Sequence, residues 1–357
     1  VSSSGSISIF KFKAIFNGFG GEMGEIIHLN TFQVFPESTV VTSLAWHSSS
    51  NGPIAVTTSE GQVSILNFRD NYTVLNQHAV VNVHGNNEAW TVAFSMDVDY
   101  LDAGQHGAHE NILLSRRNEY QRFVSPFQGV YSGGDDSRLR FAKFSRNEEG
   151  HTVPDRPAFS VLHGGANGMR GHNAGVTAIL PLPFHTKIGE DILITGSYDD
   201  HVRVYAVHDH RLSEGDKKPK VLAELNVGGG VWRLTFLEDY TRQCLLAEGY
   251  IGRETDVSRF RILASCMQGG VRILEIRGSL RGEWSIKVIA ELKFNTTDDL
   301  VYAGDVQPVR PHLEDILDAN EDKGHEEFIC VSANFYEKQL CVWKYYIPGL
   351  ERIYSTM

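Results

Sequence analysis

The sequence predicts an all-β fold built by repetition, and three observations carry that prediction. Helical periodicity is weak nearly everywhere, while short runs of Val, Ile, Leu, Phe and Tyr alternate with polar residues between clusters of Gly, Asp, Asn and Ser. One template recurs: a small-residue pair, a polar turn, then an alternating strand that ends on an aromatic or large apolar residue. The chain has 357 residues, 41% hydrophobic and 22% charged, which is enough to bury a large core but long for one ordinary domain.

In chain order, VSSSGSISIF at Val1 to Phe10 is a partial copy that opens in mid-strand, so further residues are expected upstream. VTTSEGQVSIL at Val56 to Leu66 is a weaker copy. EAWTVAF at Glu88 to Phe94 reads as a first strand, and YSGGDDSRLRF at Tyr131 to Phe141 as the hairpin it leads to. The clearest unit joins HNAGVTAI at His172 to Ile179 with TGSYDDHVRVY at Thr195 to Tyr205. GGGVWRL at Gly228 to Leu234 precedes LASCMQGGVRIL at Leu263 to Leu274, and DLVYAGD at Asp299 to Asp305 precedes VSANFYEKQLCVW at Val331 to Trp343.

In the clearest unit His172, Ser197, Asp199 and Tyr205 fall where WD-repeat blades place His, Ser, Asp and Trp. In that family the four groups form a buried hydrogen-bonded relay in which each satisfies the next, and the same is expected here. Asp136 aligns with Asp199 and is expected in the same structural role. The expected fold is therefore an all-β WD-repeat β-propeller of seven blades, the N-terminal one incomplete. It is expected as a single propeller over residues 1–345 with a C-terminal tail at 346–357. Polar insertions near 97–127, 237–259 and 307–327 interrupt three blades on one face and read as solvated loops.

The net charge of −11 and pI of about 5.7 argue against nucleic acid as a partner, because phosphate contacts need clustered Lys and Arg. A cationic partner suits this balance better. Cys244, Cys266, Cys330 and Cys341 lack C-x-x-C spacing and read as reduced thiols of a cytoplasmic protein. No apolar run approaches the ~18 residues of a membrane span, so no membrane insertion is expected.

The ordered motifs EAWTVAF, YSGGDDSRLR, HNAGVTAI, TGSYDDHVRVY, GGGVWRL, ASCMQGGVRIL and DLVYAGD resemble those of the diphthine methylesterase family, from about Val41 to Trp343. GGGVWR and GSYDD are the most telling, since ordinary blades need neither three glycines before a first strand nor a Tyr in that turn. Two positions depart from the family: Gln268 stands where relatives carry His, and no His precedes TTDDLVYAGD. The resemblance implies hydrolysis of a methyl ester on the diphthine intermediate of elongation factor 2, next to a trimethylammonio group, before final amidation to diphthamide. It implies elongation factor 2 as protein substrate, other diphthamide-pathway enzymes as further partners, and no cofactor.

The residues themselves show no G-x-S-x-G elbow and no H-E-x-x-H. His106 and His109 have H-x-x-H spacing, but they sit in an insertion and read as surface polarity, so no metal is expected. Catalytic groups must then be dispersed over several blades. Asp135 lies one residue before the relay aspartate, and Glu88 and Asp299 lie two residues before the first-strand positions Trp90 and Val301. These three carboxylates are candidates to activate water, and Arg233 to stabilise an oxyanion. Gly228, Gly229 and Gly230 either make a tight strand entry or let backbone approach a ligand. Trp90, Tyr198, Asp200, Trp232 and Tyr302 complete the candidate substrate-binding set, the aromatic rings being core, wall or cation-binding surfaces. A non-catalytic WD-repeat scaffold that presents elongation factor 2 or another protein is the alternative, favoured by the missing nucleophile signature.

Overall fold

The structure, a computed structural model, describes residues 4–16, 22–47, 52–69, 72–95, 129–147, 152–163, 171–185, 190–207, 219–237, 257–279, 283–294, 300–307 and 326–347. All regular elements among them are β-strands. The chain divides into two compact units, Val1–Gly164 and Gly165–Met357, and each is described by itself.

In the first unit β1 (Ser6–Phe16) and β2 (Glu22–Gln33) form an antiparallel pair. β3 (Val41–Trp46), β4 (Ile54–Thr58), β5 (Gln62–Arg69) and β6 (Val74–Asn82) follow as a four-stranded antiparallel meander. β7 (Ala89–Phe94), β8 (Gly129–Gly134), β9 (Leu139–Arg146) and β10 (Thr152–His163) make a second one. The side chains of β4 divide between two cores: Ile54 and Val56 pack with Ile7, Ile9 and Phe35, while Ala55 packs with Val92, Val130 and Phe144. A strand covered on both faces has no polar side to show, which is why IAVTT lacks the alternation of its neighbours.

The second unit repeats the plan. β11 (Val176–His185), β12 (Asp191–Ser197), β13 (His201–Val207) and β14 (Lys220–Asn226) form one meander. β15 (Arg233–Phe236), β16 (Val257–Ser265), β17 (Val271–Ser279) and β18 (Trp284–Leu292) form the next, and β19 (Val301–Val306), β20 (Glu326–Asn334) and β21 (Gln339–Ile347) a three-stranded sheet. Ile192, Ile194, Val202 and Val204 meet Ile262, Ala264, Leu274 and Ile276 between the first two sheets. Leu263, Val271 and Ile273 meet Val301, Phe328, Cys330 and Trp343 between the second and third.

These stacked meanders are blades of the WD-repeat β-propeller class expected from the sequence, six sheets being formed by the described residues. The insertion at 97–127 lies outside those residues, as do 238–256 and 308–325 of the other two and the tail from 348. Among the described residues no helix is long and apolar enough to cross a membrane.

One local feature recurs at the start of four first strands. The register skips a residue between Val41 and Ser43, Ala89 and Thr91, Val176 and Ala178, and Val301 and Ala303. Each skip is a β-bulge that turns one side chain out of the ladder: Thr42, Trp90, Thr177 and Tyr302. Thr42 and Thr177 use their freed hydroxyls on the carbonyls of Ala89 and Val231, tying one sheet to the entry of the next. Trp90 and Tyr302 are aimed instead at candidate functional residues.

Candidate functional site

Among the described residues each unit holds a buried relay of histidine, hydroxyl, aspartate and arginine. In the second unit His172 Nδ1 lies 3.0 Å from Asp199 Oδ1, and its Nε2 lies 2.7 Å from Thr195 Oγ1. Arg203 Nη1 donates to Asp199 Oδ2 at 2.7 Å. Tyr205 is fully buried beside the imidazole, the ring centroids 6.3 Å apart. In the first unit His84 Nδ1 is 2.9 Å from Asp136 Oδ1, Nε2 is 3.0 Å from Ser132 Oγ, and Arg140 Nη2 donates to Asp136 Oδ2 at 2.6 Å. Although burial opposes ionisation, hydrogen bonds and charge from the histidine and arginine hold both carboxyls below the usual range, Asp199 far below it.

The relay hydroxyl of the second unit differs from the one expected. Thr195 occupies it, whereas Ser197 Oγ donates to the carbonyl of Ala174 and accepts from the amide of Asp199. Thr195 and Ser197 share a face because strand side chains alternate, and the strand register brings the earlier one level with the imidazole. His84, Ser132, Arg140 and Arg203 were not singled out from sequence. For Ser132, Arg140 and Arg203 the signals are spacings, a hydroxyl four residues before each relay aspartate and an arginine four after it; His84 has no such fixed spacing.

Asp135 stands outside the relay on the exposed turn between β8 and β9. Its amide donates to the carbonyl of Glu88 at 2.9 Å, and Trp90, released by its bulge, donates its indole N–H to Asp135 Oδ1 at 3.3 Å. The first unit thus brings together Glu88, Trp90 and Asp135, with one oxygen of the Asp135 carboxylate engaged by the indole. Asp299 lies outside the described residues.

In the second unit Trp232 stands between two rings, tilted against Tyr198 at 5.6 Å and edge-on to Tyr302 at 5.2 Å. The row continues through Phe335 to Tyr336, which are 64% and 60% exposed. Asp200 is the left-handed residue of the β12–β13 turn, at φ 63°, and its carbonyl accepts from the amide of Val227. The glycine run packs on protein: a Cβ on Gly229 would lie 2.2 Å from the carbonyl oxygen of Cys266, and one on Gly230 would lie 2.7 Å from Met267 Sδ. Gly228 adopts φ +79°, which glycine tolerates. These three positions therefore fit the strand entry against the β16–β17 turn. Arg233 is half-buried without an ion-pair partner among the described residues, and burial pushes its guanidinium pKa down.

No protein-family model matches the chain. It is 23% identical over 321 residues to a diphthine methyltransferase of Schizosaccharomyces pombe, covering 90% of this chain and 68% of that protein. It is also 29% identical over 176 residues to diphthine methyltransferase of Mus musculus, and 25% over 201 residues to that of Homo sapiens, covering 49% and 55% of this chain. The matched part spans 27% of the mouse protein and 34% of the human one. Among solved structures, Chaetomium thermophilum Sqt1 bound to the N-terminus of a ribosomal protein is similar at a TM-score of 0.48 and 11% identity, over 97% of this chain and 68% of that one. The chain is thus similar in sequence to proteins named for diphthine modification.

Proposed function

We propose that this chain is a diphthine methylesterase that hydrolyses the methyl ester on elongation factor 2, yielding the carboxylate and methanol. The observation that carries the reading is the match to the fission-yeast diphthine methyltransferase along 90% of the chain. That relative's name denotes methyl transfer; the hydrolytic direction is the one that the motif resemblance implies, with Asp135 proposed as the base. An exposed carboxylate outside the relay, with one oxygen held by an indole N–H, leaves its other oxygen to take a proton from water. The activated water adds to the ester carbonyl. Collapse of the tetrahedral intermediate expels the methoxy group, which leaves as methanol with the proton returned by Asp135.

Taken by itself, the second unit presents the rings of Tyr198, Trp232 and Tyr302 as a proposed surface for a cationic group of a protein partner. The test is to incubate the chain with methyl-esterified elongation factor 2 in heavy-oxygen water. Intact mass should show loss of one methylene equivalent and entry of the heavy label into the product carboxylate, with no acyl-enzyme. Methyl gain by the factor, dependent on an added methyl donor, would refute the hydrolytic direction.

The exposed pair Phe335 and Tyr336 favours a second reading, in which this unit is a protein-docking platform. Phe335→Ser with Tyr336→Ser should weaken association with elongation factor 2 in a titration, and unchanged affinity would remove this surface.

A further inference from the structure

We infer that Arg233 and Ser265 form a binding position for a carboxylate group between the β15–β18 and β19–β21 sheets. The position lies wholly in the second unit and does not depend on the esterase reading. Arg233 and Ser265 are directly opposed in the β15–β16 register, so their side chains leave the sheet on one face. Leu263, two residues from Ser265 on that face, belongs to the core shared with β19–β21, which fixes the direction.

The two groups are incomplete in complementary ways. The guanidinium is half-buried with no ion-pair partner among the described residues. Ser265 is 1% exposed, and its Oγ has no hydrogen-bond partner there. Buried hydroxyls are rarely left so, because desolvation without a partner is costly. A carboxylate uses both groups at once, taking charged hydrogen bonds from the guanidinium and one from the hydroxyl.

The other sheets show what this serine replaces. Counting eight residues back from the strand arginines Arg140, Arg203 and Arg272 gives Ser132, Thr195 and Ala264, and the next residues are Gly133, Gly196 and Ser265. The relay hydroxyl and the relay aspartate are thus Ala264 and Gln268 in this sheet, and a hydroxyl appears one step along, on the opposite face. Across from it stands Gly304 on β19, where a Cβ would come within 2.9 Å of Ser265 Oγ. Glycine at 304 keeps the hydroxyl clear of a neighbouring side chain.

The test follows the Nε–H resonance of Arg233, assigned by its loss in Arg233→Lys, as the full chain is titrated with sodium acetate. Sodium chloride at equal ionic strength is the control. Acetate should shift the resonance saturably and chloride should not. Ser265→Ala should weaken acetate binding about tenfold, the worth of one hydrogen bond to a charged group, with Ser265→Thr restoring it. The melting temperature of Ser265→Ala should be unchanged or raised, because the substitution removes an unsatisfied buried hydroxyl. Gly304→Ala should weaken binding similarly. Identical responses to acetate and chloride would overturn the inference, as would a Ser265→Ala protein that melts earlier yet binds acetate like wild type. Saturable, Ser265-dependent acetate binding in a chain that releases no methanol would sustain the position while removing the esterase.

Discussion

Replacing Asp199 with Ala removes the acceptor shared by His172 Nδ1, the amide of Asn173 and Arg203 Nη1, at 3.0, 2.9 and 2.7 Å. Arg203 is 4% exposed and, among the described residues, would keep the exposed carboxylate of Glu224 at 3.3 Å and the neutral ring nitrogen His172 Nδ1. Breaking one side of a buried ion pair costs about 3–5 kcal/mol, because the surviving charge stays desolvated. At about 1.4 kcal/mol per factor of ten, the β12 and β13 amides should exchange with solvent roughly a hundred to a few thousand times faster. Hydrogen exchange read by mass spectrometry on peptides from Asp191–Val207 measures this directly. Acceleration below about threefold would refute the view that Asp199 is a structural element, and loss of turnover with unchanged exchange would make it a reacting group instead.

Asp135→Asn should lower methylesterase turnover by roughly 10²–10⁴-fold, the usual contribution of a general base, while shifting stability by less than about 0.5 kcal/mol; parallel turnover and melting measurements separate the two effects. Asp199 and Asp136 titrate below the ordinary carboxylate range in the folded chain, so their contribution is fully present above the unfolded pKa of about 3.9 and is lost as pH falls through the native values. An acid-unfolding titration should therefore show stability falling below about pH 4, and Asp199→Asn should flatten that slope. Burial pushes the thiols of Cys266 and Cys330 up to about 12, so iodoacetamide near neutral pH should label these two only after unfolding. Gly229→Ala should cost at least about 1–3 kcal/mol by overpacking, since its Cβ would meet a carbonyl oxygen at 2.2 Å rather than a movable side chain.

Much of the fold was legible because a blade is a local object. The hairpins around Ser132 to Arg140 and Thr195 to Arg203 carry their turn, strand alternation and relay aspartate within a dozen residues. His172 and Asp199 could be paired from family spacing. The relay hydroxyl was less plain, because Thr195 and Ser197 point the same way and Ser197 is the family position; the four-residue spacing shared with Ser132 marks Thr195, and the register to β11 sets it level with His172. The outward aim of Trp90 and Tyr302 was hidden for a related reason: a bulge is a backbone event that leaves the alternation of EAWTVAF and DLVYAGD intact. The glycines at 228–230 read equally as ligand approach or strand entry in the sequence, because the turn at Cys266 to Gly269 that fills the space beside Gly229 and Gly230 lies some forty residues on. Ser265 gave no signal, since its meaning depends on Arg233 across a strand pair and Gly304 in the next sheet.

The most direct test of the account is methanol release from methyl-esterified elongation factor 2 by the wild-type chain and by Asp135→Asn, assayed side by side at matched folded concentration. The account predicts stoichiometric methanol from the wild type and at least about a hundredfold slower release from the variant. Equal rates from both proteins, or no methanol from a wild-type chain that binds the factor, would contradict it.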